Sequence, residues 1–280
     1  MKGKTLVMAA IAVAGFMSVY SCGDKSAQLA AQRLTVAQQA YEAGDFVSAR
    51  QEIDSIRILY PTVADVRRSA LELQQRIELK EQTRSMNYED SILAVARESL
   101  AELLPAYTLE RDTAYQDKGN WVIPSQNPEK NLSRSYLRAQ VAEDGRLMLI
   151  STYRGSSYIH HRSIKVSVGE MYCQSEESDD CYEYEDLGIR YEKCNLHPGK
   201  DGGVVAFIAT NRDASNMSLV LNGNKGAVKV PLTAQDRKAI ASLYDLSNLL
   251  LFINEHQAIR DESERRVQFV TQHLEAESQE

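Results

Sequence analysis

Apolar positions along this chain change their period twice. They recur at helical spacing from about residue 30 to 107, shift to short blocks and two-residue alternation from about 131 to 230, and return to helical spacing beyond 233. In the first region Phe46, Ile53 and Ile56 predict the buried stripe of a helix that starts after Gly44-Asp45 and stops at Pro61. Gly44 can take the left-handed turn that ends the helix before it. Val63, Val66, Ala70, Leu73 and Ile77 then recur at alternating three- and four-residue steps, a coiled-coil-like seam that Lys80 and Arg84 interrupt. Leu93, Ala96, Leu100, Leu103 and Tyr107 form a second seam that Pro105 ends. The cations Arg67, Arg68, Arg76, Lys80 and Arg84 read as a solvated face, with an anionic docking strip as the alternative. At the far end, Thr233-Ala-Gln-Asp236 has the form of a helix-starting cap. Leu246, Leu249, Leu250, Phe252 and Ile253, then Ile259, Val267, Val270 and Leu274, predict one long helix packing back on residues 62–107.

Between the helical regions, residues 135–141 and 146–153 flank Glu143-Asp-Gly145 as a hairpin, and residues 159–168, 203–210, 217–221 and 227–230 read as further strands. Half of the 14 tyrosines fall between 136 and 191 and read as half-buried sheet residues. The expected class is α+β, with long helices from both ends of the chain and an inserted antiparallel β-sandwich or open barrel. Ala37, Gly44-Asp45-Phe46, Ala49 and Pro61 also fall at the spacing of one tetratricopeptide unit. Such a unit cannot bury its apolar face alone, so the C-terminal helix is the natural cover. The boundaries expected are 1–21 for a signal segment, 22–115 for the tetratricopeptide-like and coiled-coil arm, 116–232 for the β domain and 233–280 for the C-terminal helix.

Charge narrows the partners. Lys and Arg number 32 against 39 Asp and Glu, a net −7 in 280 residues, which lacks the basic footprint that nucleic-acid binding needs. The first residues stand apart from this balance. Lys2 and Lys4 precede an uncharged apolar run from Leu6 to Val19, as in a secretory signal. The segment ends in Val19-Tyr20-Ser21-Cys22-Gly23, which resembles the lipobox at which a bacterial signal is cleaved and Cys22 acylated. Cleavage there leaves 30 cations against 39 acids, a net −9, so acyl chains rather than charge would hold the chain at a membrane. Asp24 does not directly follow Cys22, which favours the outer membrane; the periplasmic face and the cell surface both remain open.

Candidate chemistry is sparse. Beyond Cys22 the thiols are Cys173, Cys181 and Cys194, read as one disulfide plus one free thiol with the pairing open. His160-His161 should point to opposite faces of a strand, so no metal site is expected. Glu176 to Asp186 carries seven carboxylates in eleven residues and reads as a solvated loop, with calcium as the alternative. Gly155-Ser156-Ser157 lacks the second glycine of a nucleophile elbow, and Gly199-Lys-Asp-Gly-Gly203 reads as a turn rather than a phosphate loop. Tyr153, Arg154 and His160 are the candidate binding surface; no catalytic set and no cofactor are expected.

The run Tyr115 to Trp121, with Arg134 to Val141, Tyr153-Arg-Gly155, Ile159-His-His161 and Ile164 to Ser167, resembles a group of Bacteroidota lipoproteins. These join one tetratricopeptide-like hairpin and a coiled coil to a β domain. The resemblance implies location and architecture and carries over no catalytic residue. It also implies O-glycosylation at Asp-Ser/Thr-aliphatic triplets, which places candidate sites at Ser55, Ser91 and Thr113. The expected function is a non-enzymatic, outer-membrane-anchored adaptor with an envelope protein partner. A glycan or small-ligand module in the β domain is second, and a hydrolytic enzyme third.

Overall fold

The computed structural model describes residues 20–111, 114 and 117–277. Residues 1–19 of the expected signal segment, the side chain of Cys22 and the candidate Thr113 lie outside the described residues. The architecture is α+β as expected, with five α-helices and two antiparallel sheets among the described residues. The chain divides into two compact units, Met1–Tyr88 with Ile259–Glu280, and Glu89–Ala258. These boundaries cut through both long helices, unlike the expected ones, because each stretch of helix belongs with whatever its apolar face buries.

The first unit contains α1 (Tyr20–Glu42), α2 (Phe46–Leu59), the start of α3 (Ala64–Leu103) and the end of α5 (Ala234–Glu277). Gly44 takes φ +79° between α1 and α2, a conformation that a side chain would strain. Asp45 caps α2 by accepting from the backbone N–H of Ser48 at 3.0 Å. Ala37, Phe46, Ala49, Ile53, Ile56, Ala70, Leu73 and Ile77 form its buried cluster, and the small Ala37 and Ala49 allow the helices to approach closely. Arg33 pairs with Glu52 at 2.7 Å across α1 and α2, and Arg50 of α2 pairs with Glu81 of α3.

Helix α3 runs unbroken through the point where Lys80 and Arg84 were expected to stop its seam. The ammonium of Lys80 lies 4.1 Å from the Tyr41 ring centroid, and the Arg84 guanidinium 5.0 Å from that of Phe46. Both cations remain solvent-exposed, as expected, while their charged ends also lie over aromatic side chains of the hairpin. Ser263 of α5 donates to Ser85 of α3 at 3.0 Å, as the return of the C-terminal helix requires.

Among its described residues, the second unit contains ten strands. They are β1 (Thr108–Glu110), β2 (Asn120–Val122), β3 (Tyr136–Ala142), β4 (Leu147–Gly155), β5 (His161–Val168), β6 (Met171–Gln174), β7 (Cys181–Asp186), β8 (Ile189–Leu196), β9 (Met217–Gly223) and β10 (Gly226–Val230). One sheet has the order β1-β2-β3-β4-β8-β7 and the other β10-β9-β5-β6. The inward faces of both, with Leu137, Leu149, Leu196, Ile164, Val166 and Leu219 among others, share one core. Ile240, Leu243 and Leu246 are fully buried in that core, so the first half of α5 is part of the β unit as well as a cover for α3.

Residues 203–210 are a helix, α4 (Val204–Thr210), not the expected strand. The β-branched valines suggest a strand. Yet Val204, Val205, Ile208 and Ala209 are buried at helical spacing, and the Asp201 carboxylate accepts from the Val205 N–H at 3.0 Å. The acidic stretch 176–186 is likewise not one loop, since its second half is β7.

The expected hairpin turn at Gly145 is present and seats the β3–β4 tip on α5. Ser247 donates to the Gly145 carbonyl at 2.6 Å and Asn254 to that of Asp144 at 2.9 Å. Asp144 is held at about 2, well below the ordinary carboxyl range, chiefly by the side-chain hydrogen bond from Arg146. Gly145 has φ +87°, and a Cβ there would lie 2.9 Å from the Leu251 backbone nitrogen. Gly145→Ala therefore loses roughly 3 kcal/mol in thermal or denaturant unfolding, against roughly 1 kcal/mol for Gly188→Ala. Gly188 has φ +77° with nothing within 4 Å, so the difference isolates the contact with α5. Equal losses would show that the tip is not seated there.

Candidate functional site

Strand alternation puts Glu192, Cys194 and Leu196 of β8 on the inward face, together with Ser151 and Tyr153 of β4. A carboxylate at such a position must be fully hydrogen-bonded. The Glu192 Oε1 accepts from the backbone N–H groups of Ile159 at 2.6 Å and His160 at 2.8 Å. Its Oε2 accepts from the backbone and the Nδ1 of His161, both at 2.7 Å. Burial opposes the charge of Glu192, but these four donors outweigh it and hold the carboxyl below its usual value.

With Nδ1–H committed to Glu192, the Nε2 of His161 is the acceptor for the Ser151 hydroxyl at 2.9 Å. Burial lowers the His161 pKa against the raising influence of Glu192, so the imidazole is neutral. Ser151, His161 and Glu192 thus have the connectivity of nucleophile, base and orienting acid. They are 0%, 1% and 1% exposed. The backbone donors at 159–161 that could stabilise an oxyanion already point at Glu192. Chemically, this arrangement ties β4 and β8 of one sheet to the start of β5 in the other, and it offers a substrate no approach.

His160 and His161 do not point to opposite faces as expected. His160 has φ +54° and lies just before β5, which turns both imidazoles toward the β7–β8 pair. The His160 Nδ1 lies 2.6 Å from Glu183 Oε1, and Glu183 is directly opposite Glu192 in the ladder. Candidate ligand atoms of His160, Glu183 and Glu192 lie within 4.8 Å of one another. The four donors already on Glu192 account for its lone pairs, so the trio is explained by its own hydrogen bonds.

The remaining sequence candidates do not converge. Tyr153 is buried and donates to the Ser157 carbonyl at 2.9 Å, so it contributes no surface. Arg154, the next residue of β4, points to the other side of the sheet, and His160 stacks on Tyr158 at 5.8 Å. The expected surface of Tyr153, Arg154 and His160 is therefore three separate environments. Cys181 and Cys194, opposite each other in β7 and β8, form the disulfide, while Cys173 is a half-buried free thiol. In the acidic stretch, Glu176 pairs with Lys200, Asp180 with His197, and Glu185 with Arg190. Ser55 is half-buried on α2 and donates to the Gln51 carbonyl, and Ser91 is exposed on α3.

The helical unit holds a groove of about 760 Å³ between α2 and α3. Ile53, Ile56 and Ala70 line it together with Arg57, Arg67 and Arg68. Arg57 reaches Asp54 at 3.0 Å on its own helix and Arg67 the Pro61 carbonyl at 2.8 Å, whereas Arg68 has no carboxylate partner among the described residues. Two of the cations expected to be merely solvated thus border an apolar concavity.

Glu192→Gln leaves buried N–H donors facing an amide NH2 and lowers stability by roughly 3 kcal/mol or more in denaturant unfolding. His161 is neutral in the fold but protonates near 6.5 when unfolded, so its contribution is complete above that pH and declines below it. Glu192 contributes above its unfolded value of about 4.5 and loses this as pH falls further. His161→Gln accordingly flattens the stability curve between pH 6.5 and 5; an unchanged slope there would separate His161 from acid sensitivity. Comparison with protein-family models, curated proteins and solved structures yields no match to this chain.

Proposed function

We propose that this chain is an outer-membrane-anchored lipoprotein that acts as a non-enzymatic, protein-binding adaptor in the cell envelope. Acylation of Cys22 would hold it at the membrane. Among the described residues no helix is long and apolar enough to cross a bilayer, so the lipid is the attachment this reading requires. The observation that carries the adaptor reading is the groove between α2 and α3. Its floor, where exposed Leu71 lies beside the core residues Ile53, Ile56 and Ala70, is bordered by three arginines in a chain of net charge −7 and suits an amphipathic helix with acidic flanks. Helical hairpins of this kind bury their open faces against further helices.

Two measurements test the reading. Cys22→Ser abolishes fatty-acid labelling and moves the protein from the membrane to the soluble fraction; retention on the membrane would remove the anchor. A labelled amphipathic peptide with leucines on one face and glutamates along both flanks binds the full chain in fluorescence anisotropy. Joint substitution of Arg57, Arg67 and Arg68 by Glu weakens that binding by about tenfold or more. Equal binding of a lysine-flanked peptide would overturn the groove as an acidic-helix site.

A further inference from the structure

The outward face of the six-stranded sheet carries cations without counter-charges. Register places Tyr182, Lys193, Thr152 and Tyr136 in one row across β7, β8, β4 and β3, and Tyr184, Tyr191 and Arg154 in the next. Arg138 of β3 lies in the third row, beside Ile150 and Asn195. Arg138 is 7% exposed, its Nη2 donates to the neutral Gln140 at 2.9 Å, and its Nε has no acceptor. The Nε of half-buried Arg154 is also buried without an acceptor. Neither arginine nor Lys193 pairs with a carboxylate among the described residues. Of the acids bordering this face, Asp236 is taken by Arg134 in a bidentate pair, Asp180 by Asn195 and His197, and Asp186 lies at the end of β7 opposite Ile189.

A buried guanidinium without a counter-ion is costly, and the protein offers it none. The tyrosines supply the other half of a recognition surface. Tyr184 stacks on Tyr191 at 4.8 Å and 7°, and Tyr182 on Tyr184 at 6.1 Å and 22°. Tyr182 and Tyr184 nevertheless remain 49% and 41% exposed, presenting flat aromatic area to solvent. Strands lie ~4.8 Å apart, so Arg154 sits two strands, or roughly 10 Å, from Tyr184, the span of two sugar rings. A planar carboxylate matches the arginine fork. Glu183 and Glu185 of β7 alternate onto the opposite face, in the rows of Glu192 and Arg190, and so do not oppose an anion here.

We propose that this face binds carboxylated oligosaccharides, with Tyr182 and Tyr184 stacking a sugar ring, Arg154 and Lys193 receiving the uronate carboxylates, and the buried Arg138 adding positive charge beneath them. The site lies in the β unit and is independent of the helical groove. Calorimetric titration of the full chain with tetragalacturonate and with a hyaluronan tetrasaccharide tests it, against a neutral galacto-oligosaccharide, a sulfated disaccharide and an oligothymidylate. At least one uronate binds about tenfold more tightly than the neutral sugar and weakens as salt rises. Arg154→Ala and Tyr184→Ala each reduce that affinity about fivefold or more while thermal unfolding shows the variants folded. Arg138→Gln reports on the buried cation if it folds, and the other two variants carry the test if it does not. The proposal is overturned if neither uronate outbinds the neutral sugar, if the sulfated sugar or the oligonucleotide binds better, or if both alanine variants retain full affinity.

Discussion

The β unit depends on one carboxylate. Glu192 belongs to β8 of the six-stranded sheet, yet all four of its donors come from residues 159–161, where the chain passes from β4 to β5 and so into the other sheet. A single buried charge thereby fixes how the chain changes sheets. It also sets the imidazole of His161, whose other nitrogen reaches Ser151 on the central β4. The Cys181–Cys194 disulfide closes the same ladder two rungs away, on the same face as Glu192, so the polar network and the covalent link reinforce one region. The resemblance of Ser151, His161 and Glu192 to a hydrolytic triad follows from the same need, because a buried carboxylate and imidazole must each find partners.

Away from that network, the protein uses cations in two different ways. In the helical unit, Lys80 and Arg84 lie over the rings of Tyr41 and Phe46, which allows α3 to continue where its apolar seam breaks. Arg57, Arg67 and Arg68 instead border an open apolar groove. Just before β3, Arg134 is consumed by Asp236, which also accepts from Thr233 in the cap of α5. Arg138, only four residues further along the chain, and Arg154 have no such partner. Which arginines are available for recognition is thus decided by where the acids fall in space, not by the net charge of −7.

Much of the architecture was legible as pattern. Gly44, Asp45 and Pro61 mark the hairpin, Thr233 and Asp236 the start of the last helix, and Gly145 a tight turn, because each acts through backbone geometry within a few residues. The strands β6, β7 and β8 were not legible. Their residues are acidic and tyrosine-rich with an exposed edge, so the hydrophobic alternation that signals a strand is weak there. Helix α4 was misread because valine and isoleucine favour strands locally, and the core it covers overrides that preference. One signal for the buried network was present: Glu192 falls in phase with Cys194 and Leu196, and an acid in phase with inward-facing residues is a buried acid.

The sequence by itself determined the α+β class, the helical hairpin, the hairpin turn at Gly145 and the cap of the last helix, since periodicity and turn chemistry are local properties of the chain. Tertiary structure alone decided that Cys181 pairs with Cys194, that His160 and His161 turn toward adjacent carboxylates, that Tyr153 is internal while Arg154 faces outward beside a tyrosine ladder, and that Arg57, Arg67 and Arg68 surround one groove. Each of these depends on which distant residues become neighbours across a ladder or between helices, and spacing along the chain does not contain that information.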